Sequence, residues 1–226
     1  MPDPSDIRVG VLRIEGTNCE DESALAFSSL GCNTEKVHLK QLIGEVERSE
    51  RRDIMDFDAL YFPGGFSSGD YVRAGAIFAS RVKSGLKSQV DEYINQNKPI
   101  LGTCAGMIMM SKKVNHRLVN PLGIIDIEVD RNAYGRQVYS FVDELPVRLN
   151  GHTEKIRATF IRAPKITKMG KDVEILAEYN NEPCAIKQGK HIALSFHPEL
   201  NGINIFHKAA FCNNEAEQQK ESSYAA

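Results

Sequence analysis

Excess charge is the first thing this sequence lacks. Its formal net charge is −2, so neither sign marks it out for nucleic acid or an anionic membrane surface. No apolar run approaches the ~20 residues of a membrane-spanning helix. The opening Met1-Pro2-Asp3-Pro4-Ser5-Asp6 has neither the basic nor the apolar region of a secretory signal. Cysteines are few, odd in number and scattered, at Cys19, Cys32, Cys104, Cys184 and Cys212. They make neither a disulfide framework nor a C-x-x-C metal pattern, and a reducing cytoplasm is the expected compartment. Internal repeats are absent, as is any linker long enough to separate two domains. The rest is ordinary for a globular protein, with 42% apolar and 26% charged residues. Residues 1–212 are expected to form one domain, and the polar, unpatterned stretch 213–226 a disordered tail.

Short apolar runs alternate with helical patterns through the first hundred residues. Arg8 to Ile14, Glu35 to Leu39, Ala59 to Phe62 and Pro99 to Leu101 read as strands. Between them, Glu20 to Leu30 has Ala24, Phe27 and Leu30 at helical spacing and stops at Gly31, a C-cap residue. Gln41 to Asp56 is highly charged and reads as a solvated loop or surface helix. Asp70 to Gln96 carries one or two amphipathic helices. Such alternation predicts a doubly wound, mostly parallel α/β sheet with helices on both faces. After about residue 120 the texture turns β-rich, with strands expected at Ile124 to Val129, Ala158 to Ile161, Val173 to Ala177, Cys184 to Lys187 and His191 to Ser195. Gln188-Gly189-Lys190 reads as a hairpin turn, and Asn201 to Phe211 as a last helix.

Chemistry concentrates at Gly102-Thr103-Cys104-Ala105-Gly106, directly after the strand at Pro99 to Leu101. A cysteine between two glycines at a strand-to-helix switch has the form of a nucleophile elbow. The turn must be tight, so its flanking residues lack side chains. The helix that follows points its free N–H groups at the sulfur, which favours the thiolate and offers the Ala105 amide to an oxyanion. A buried structural cysteine beside a helix start is the plainer alternative. A thiolate nucleophile also needs a base, and the base an orienting partner. Of six histidines, His38, His116, His152, His191 and His207 have no strong local context and read as surface or packing residues. His197 stands in Ser195-Phe196-His197-Pro198-Glu199, where an extended backbone would project Glu199 to the same side as the imidazole. Pro63-Gly64-Gly65-Phe66-Ser67 ends another strand, and its Gly65 amide can complete an oxyanion hole with that of Ala105. A plain tight turn is the alternative there.

The ordered set Pro-Gly-Gly, Gly-Thr-Cys-Ala-Gly and His-Pro-Glu resembles the class I (triad) glutamine amidotransferases. That resemblance implies a flavodoxin-like sheet with a β-rich C-terminal half. It further implies hydrolysis of glutamine through a thioester, with Cys104 as nucleophile, His197 as general base and acid and Glu199 as its orienter. It calls for no metal or cofactor, and it implies a synthase subunit that accepts the ammonia. From Val129 to Glu199 the chain is similar to the glutaminase subunit of pyridoxal 5′-phosphate synthase, through Val129-Asp130-Arg131-Asn132-Ala133-Tyr134-Gly135-Arg136-Gln137, Phe160-Ile161-Arg162-Ala163-Pro164 and Ser195 to Leu200. This implies that Arg131, Ile161 and Arg162 line the glutamine site with Gly65, Phe66 and Ser67. A guanidinium suits glutamine's α-carboxylate; a surface ion pair is the alternative for each arginine. The first hundred residues resemble instead the glutaminase subunit of phosphoribosylformylglycinamidine synthase, through Gly10 to Cys19 and Pro63 to Ala76, with Phe66 where the vitamin-pathway family has a glutamate. Vitamin B6 synthesis is the favoured pathway and purine synthesis the alternative. A cysteine redox sensor or binding module on the same fold is the reading from another class.

Overall fold

Parallel strands that carry helices on both sides bury both of their faces, so neighbouring residues along each strand enter different cores. The computed structural model, which describes residues 3–14, 16–65, 76–116, 119–131, 133 and 140–211, follows this rule. In β1 (Arg8–Arg13) Val9 and Val11 face one core while Leu12 faces the other. In β3 (Ala59–Phe62) Leu60 and Phe62 flank Tyr61 in the same manner. One core is covered by α3 (Ala76–Gly85), α4 (Lys87–Asn95) and α5 (Ala105–Met110). The other is covered by Phe27 of α1 (Glu20–Ser28) and Phe206 of α6 (Ile205–Phe211).

The main sheet also contains β2 (Asn33–His38), β4 (Ile100–Thr103), β7 (Phe141–Leu149), β8 (His152–Phe160), β10 (Glu174–Tyr179), β11 (Glu182–Gln188) and β12 (His191–Leu194). Its nine strands run in the order β2-β1-β3-β4-β12-β11-β10-β7-β8. The first five are parallel and the last four antiparallel. A second, three-stranded sheet joins β5 (Ser111–Val114), β6 (Ile125–Asp130) and β9 (Lys165–Met169). The order reverses beside β1: β2 lies on one side of it and β3 on the other. Crevices that hold ligands open at such a reversal, at the carboxyl ends of the strands. The Gly16–Cys19 loop leaves β1 there, the Pro63–Gly65 turn leaves β3, and Cys104 follows β4 one strand further on.

Four expectations need correction. The hairpin β7–β8 pairs over nine residues, where only Ala158 to Ile161 was read as a strand. Its outer positions alternate with exposed charge, as in Asp143, Glu144, Glu154, Lys155 and Arg157, which hid it from an apolar scan. Strands β5 and β9, both carrying exposed lysines, have no counterpart among the apolar runs of the sequence. The last helix begins only at Ile205, since Gly202 (φ +65°) takes the left-handed conformation after a 3-10 turn over Pro198–Asn201. The charged stretch after β2 holds the short α2 (Leu39–Leu42) and two 3-10 turns, Arg48–Glu50 and Ile54–Asp56. Phe66, Ser67, the stretch to Gly75, Cys212 and the tail 213–226 lie outside the described residues. No described helix is long and apolar enough to cross a membrane.

Candidate active site

Cys104 has φ +49° and ψ −103°, a conformation that side-chain-bearing residues avoid at a cost of roughly 1–3 kcal/mol. The surrounding structure fixes it there. Its backbone N–H donates to the Leu194 carbonyl at 2.8 Å, tying the end of β4 to the end of β12. The two flanking glycines are obligatory for a packing reason. A Cβ on Gly106 would lie 2.0 Å from the Phe62 carbonyl oxygen, and one on Gly102 2.5 Å from the Met110 sulfur and 2.9 Å from the Gly106 backbone. The elbow thus turns in a space bounded by backbone on both sides. The sulfur stays partly accessible and its thiol donates to the Ile161 carbonyl at 3.7 Å.

His197 reaches the same place from β12. Its backbone N–H donates to the Thr159 carbonyl at 2.9 Å, which pins it against β8. The ring is 2% exposed, and its Nδ1 lies 2.8 Å from Oε1 of Glu199. The i, i+2 contact exists, but not through an extended backbone. His197 is the N-cap of the 3-10 turn, and Pro198 occupies its first position, where a fixed φ and a missing N–H cost nothing. The turn, not a strand, swings Glu199 back under the imidazole. The sulfurs of Cys104 and Cys19 lie near enough to the ring to act on its charge. Burial works against a charged imidazole here, yet Glu199 and the two thiols hold His197 well above the usual histidine range. The shift favours the protonated ring, which suits His197 to hold one proton and hand it on.

The Pro63–Gly65 turn closes the third side. A Cβ on Gly64 would sit 2.2 Å from Cε1 of His197, so that glycine's backbone lies flat against the imidazole. Gly65 has φ +110°, and a Cβ there would lie 2.8 Å from the Asn18 amide nitrogen. The β1 and β3 loops are therefore packed on each other beside the ring. Ala105 is the first residue of α5, where an amide has no acceptor within its own helix.

The structure thus brings Cys104, His197, Glu199, Gly64 and Ile161 together at the carboxyl edge of the sheet. Arg162 follows Ile161 directly and has φ +45°, an enforced kink of the same kind as at Cys104. Arg131 stands at the end of β6 in the second sheet, with its side chain buried. One neighbour was not singled out from sequence. Cys19 sits beside His197 and Glu199, its thiol pushed up by burial and pulled down by the imidazole. Its position directly after β1, at the reversal of strand order, was the available signal.

A thiol on a strained strand-to-helix elbow, faced by a histidine with a carboxylate behind it on a doubly wound sheet, defines a triad hydrolase of the cysteine type. The chain belongs to the SNO glutamine amidotransferase family, whose model matches residues 11–215. It is 38% identical to the pyridoxal 5′-phosphate synthase subunit PdxT of Shouchella clausii over 90% of this chain and 93% of that one. It is 54% identical to the phosphoribosylformylglycinamidine synthase subunit PurQ of Archaeoglobus fulgidus, in a match spanning 46% of this chain and only 39% of that protein. Among solved structures, a glutamine amidotransferase is 29% identical with a TM-score of 0.73, covering 89% of this chain and 96% of the other. The PurLQS structure from Thermotoga maritima shares the fold, with a TM-score of 0.66 at 20% identity over 97% and 99% of the two chains. Both relatives anticipated from the two halves of the sequence are found, the first over most of the chain.

Proposed function

We propose that this glutamine amidotransferase is a cytoplasmic glutaminase subunit that supplies ammonia to the synthase making pyridoxal 5′-phosphate. The hydrogen-bonded His197–Glu199 pair facing Cys104 at the elbow is the observation that carries the chemistry. Cys104 attacks the side-chain amide carbon of L-glutamine, and the oxyanion is held by the backbone amides of Gly65 and Ala105. His197 gives its proton to the nitrogen as the C–N bond breaks, and ammonia departs, leaving a thioester. Water then attacks; His197 takes its proton and returns it to the sulfur as glutamate leaves. Glu199 keeps the ring in position throughout. Arg131 and Arg162 serve the α-carboxylate of the substrate, with Ile161, Phe66 and Ser67 completing its pocket. Coverage of nearly the full length by PdxT relatives supports the vitamin pathway. The shorter but closer PurQ match keeps purine synthesis as the second reading.

The test is glutamine turnover by the purified chain alone, with a pyridoxal 5′-phosphate synthase lyase subunit, and with a large phosphoribosylformylglycinamidine synthase subunit. The first partner is expected to raise turnover and co-purify with the chain; activation by the second alone overturns the pathway. Cys104→Ala abolishes the reaction. His197→Ala lowers it by about a thousandfold or more, and Glu199→Gln by less, since a neutral amide still orients the ring in part. Full activity in all three variants rules the triad out.

A further inference from the structure

Cys19 offers a sulfur to a group of side chains that the reaction already brings together. Its Sγ, a ring nitrogen of His197 and a carboxylate oxygen of Glu199 all lie within 4.8 Å of one another. Cys19 is partly accessible, whereas His197 and Glu199 are buried, so solvent reaches the group from its thiol side. A second observation points to a ligand. Oε1 of Glu199 is used by His197, but Oε2 is buried and has no hydrogen-bond partner among the described residues, although Glu199 is only 7% exposed. A buried carboxylate oxygen left without a donor is costly and is relieved by a cation.

We propose that Cys19, His197 and Glu199 form a binding site for a thiophilic divalent cation of the zinc type, and that occupancy shuts the enzyme off. Thiolate, imidazole and carboxylate are the three ligand types zinc prefers, at about 2.0–2.3 Å each. Donors around a tetrahedral ion lie about 3–4 Å apart, so these three close on it with shifts of about an ångström. Binding expels the Cys19 thiol proton to solvent. The ion competes with Glu199 for His197 and removes the imidazole from proton transfer. A fourth position remains for water or for Cys104. The inhibitory consequence rests on the catalytic reading above; the binding site does not.

The experiment uses the full chain under a phosphine reductant, with Co²⁺ as the spectroscopic probe and Zn²⁺ as competitor. Wild type and Cys104→Ala are both expected to give a thiolate-to-cobalt charge-transfer band with tetrahedral visible absorption, at one ion per chain and displaced by Zn²⁺. Cys19→Ser is expected to lose the band. In the glutaminase assay, with each protein normalised to its own metal-free rate, Zn²⁺ inhibits wild type reversibly and a chelator restores it. For Cys19→Ser the half-inhibiting concentration rises at least about tenfold, the lower end of what losing even an outer partner of a metal ligand costs. A band that survives in Cys19→Ser and vanishes in Cys104→Ala puts the cation on the nucleophile and overturns the site, as does the absence of any band in wild type. Because cobalt binding is read without turnover, failure of the glutaminase reading leaves this outcome decided independently.

Discussion

Position 104 carries two demands at once, a sulfur for the proposed reaction and a positive-φ backbone for the turn. Alanine meets neither, and glycine meets the second without strain. Cys104→Gly is therefore expected to be more stable than Cys104→Ala by about 1 kcal/mol, although neither hydrolyses glutamine. Thermal unfolding of the two variants side by side checks this, and equal midpoints would mean that φ +49° is not held in the native chain. His197 is a different case. Its neighbours include two thiols and a carboxylate, so its protonation belongs to the group and not to the ring alone. Cys104, His197 and Glu199, the proposed triad, are legible in the sequence because each sits in a short frame that tolerates few other uses: glycine on both sides of the cysteine, proline beside the histidine. Cys19 has no such frame. Only the pairing of β1 with β3 brings its loop to the imidazole, and pairing is a tertiary fact.

The elbow depends on how closely β3, β4 and α5 pack. Gly106 faces the carbonyl of Phe62, and the clash a methyl group would make is between two backbones that neither can yield easily. Gly106→Ala should destabilise the protein by about 3 kcal/mol, the upper part of the overpacking range. Gly123, with φ +74° and open space around it, supplies the comparison. Gly123→Ala should cost only about 1 kcal/mol, from backbone strain alone. Urea midpoints for the pair separate crowding from strain, and similar losses would show that the elbow relaxes. At this scale the centre of the parallel half was readable because β3 and β4 are short apolar runs next to proline or glycine. The β7–β8 hairpin was less so, because one side of each strand is charged and exposed and only the other, with Leu145, Val147, Ile156, Ala158 and Phe160, is buried.

Across the whole molecule, two buried histidines tie stability to pH. His207 is fully buried, stacked on Tyr61 from β3 and edge-on to Phe27 from α1, and no ring nitrogen has a hydrogen-bond partner among the described residues. Burial pushes it down to about 4, with Glu199 pulling weakly the other way. His191 is pushed down to about 4 by burial as well. The unfolded chain takes up a proton on each ring below its ordinary value of 6.5, which the native state refuses until about pH 4. The contribution of these two rings is thus full above about pH 6.5 and falls as pH drops towards 4, by about 3 kcal/mol per ring. His207→Phe keeps the aromatic contacts and is expected to remove about half of that slope, read as the difference in denaturation midpoints between pH 7.5 and pH 5. An unchanged slope would place the acid sensitivity elsewhere.

Cys104 and His197, the proposed nucleophile and base, follow neighbouring strands, β4 and β12, with most of the second half of the chain threaded between them. During synthesis the thiol emerges from the ribosome long before the imidazole does. A nascent polypeptide stalled anywhere in that interval carries an idle sulfur and cannot release ammonia into the cell. Hydrolytic competence arrives only when the final parallel strand slots in beside the fourth.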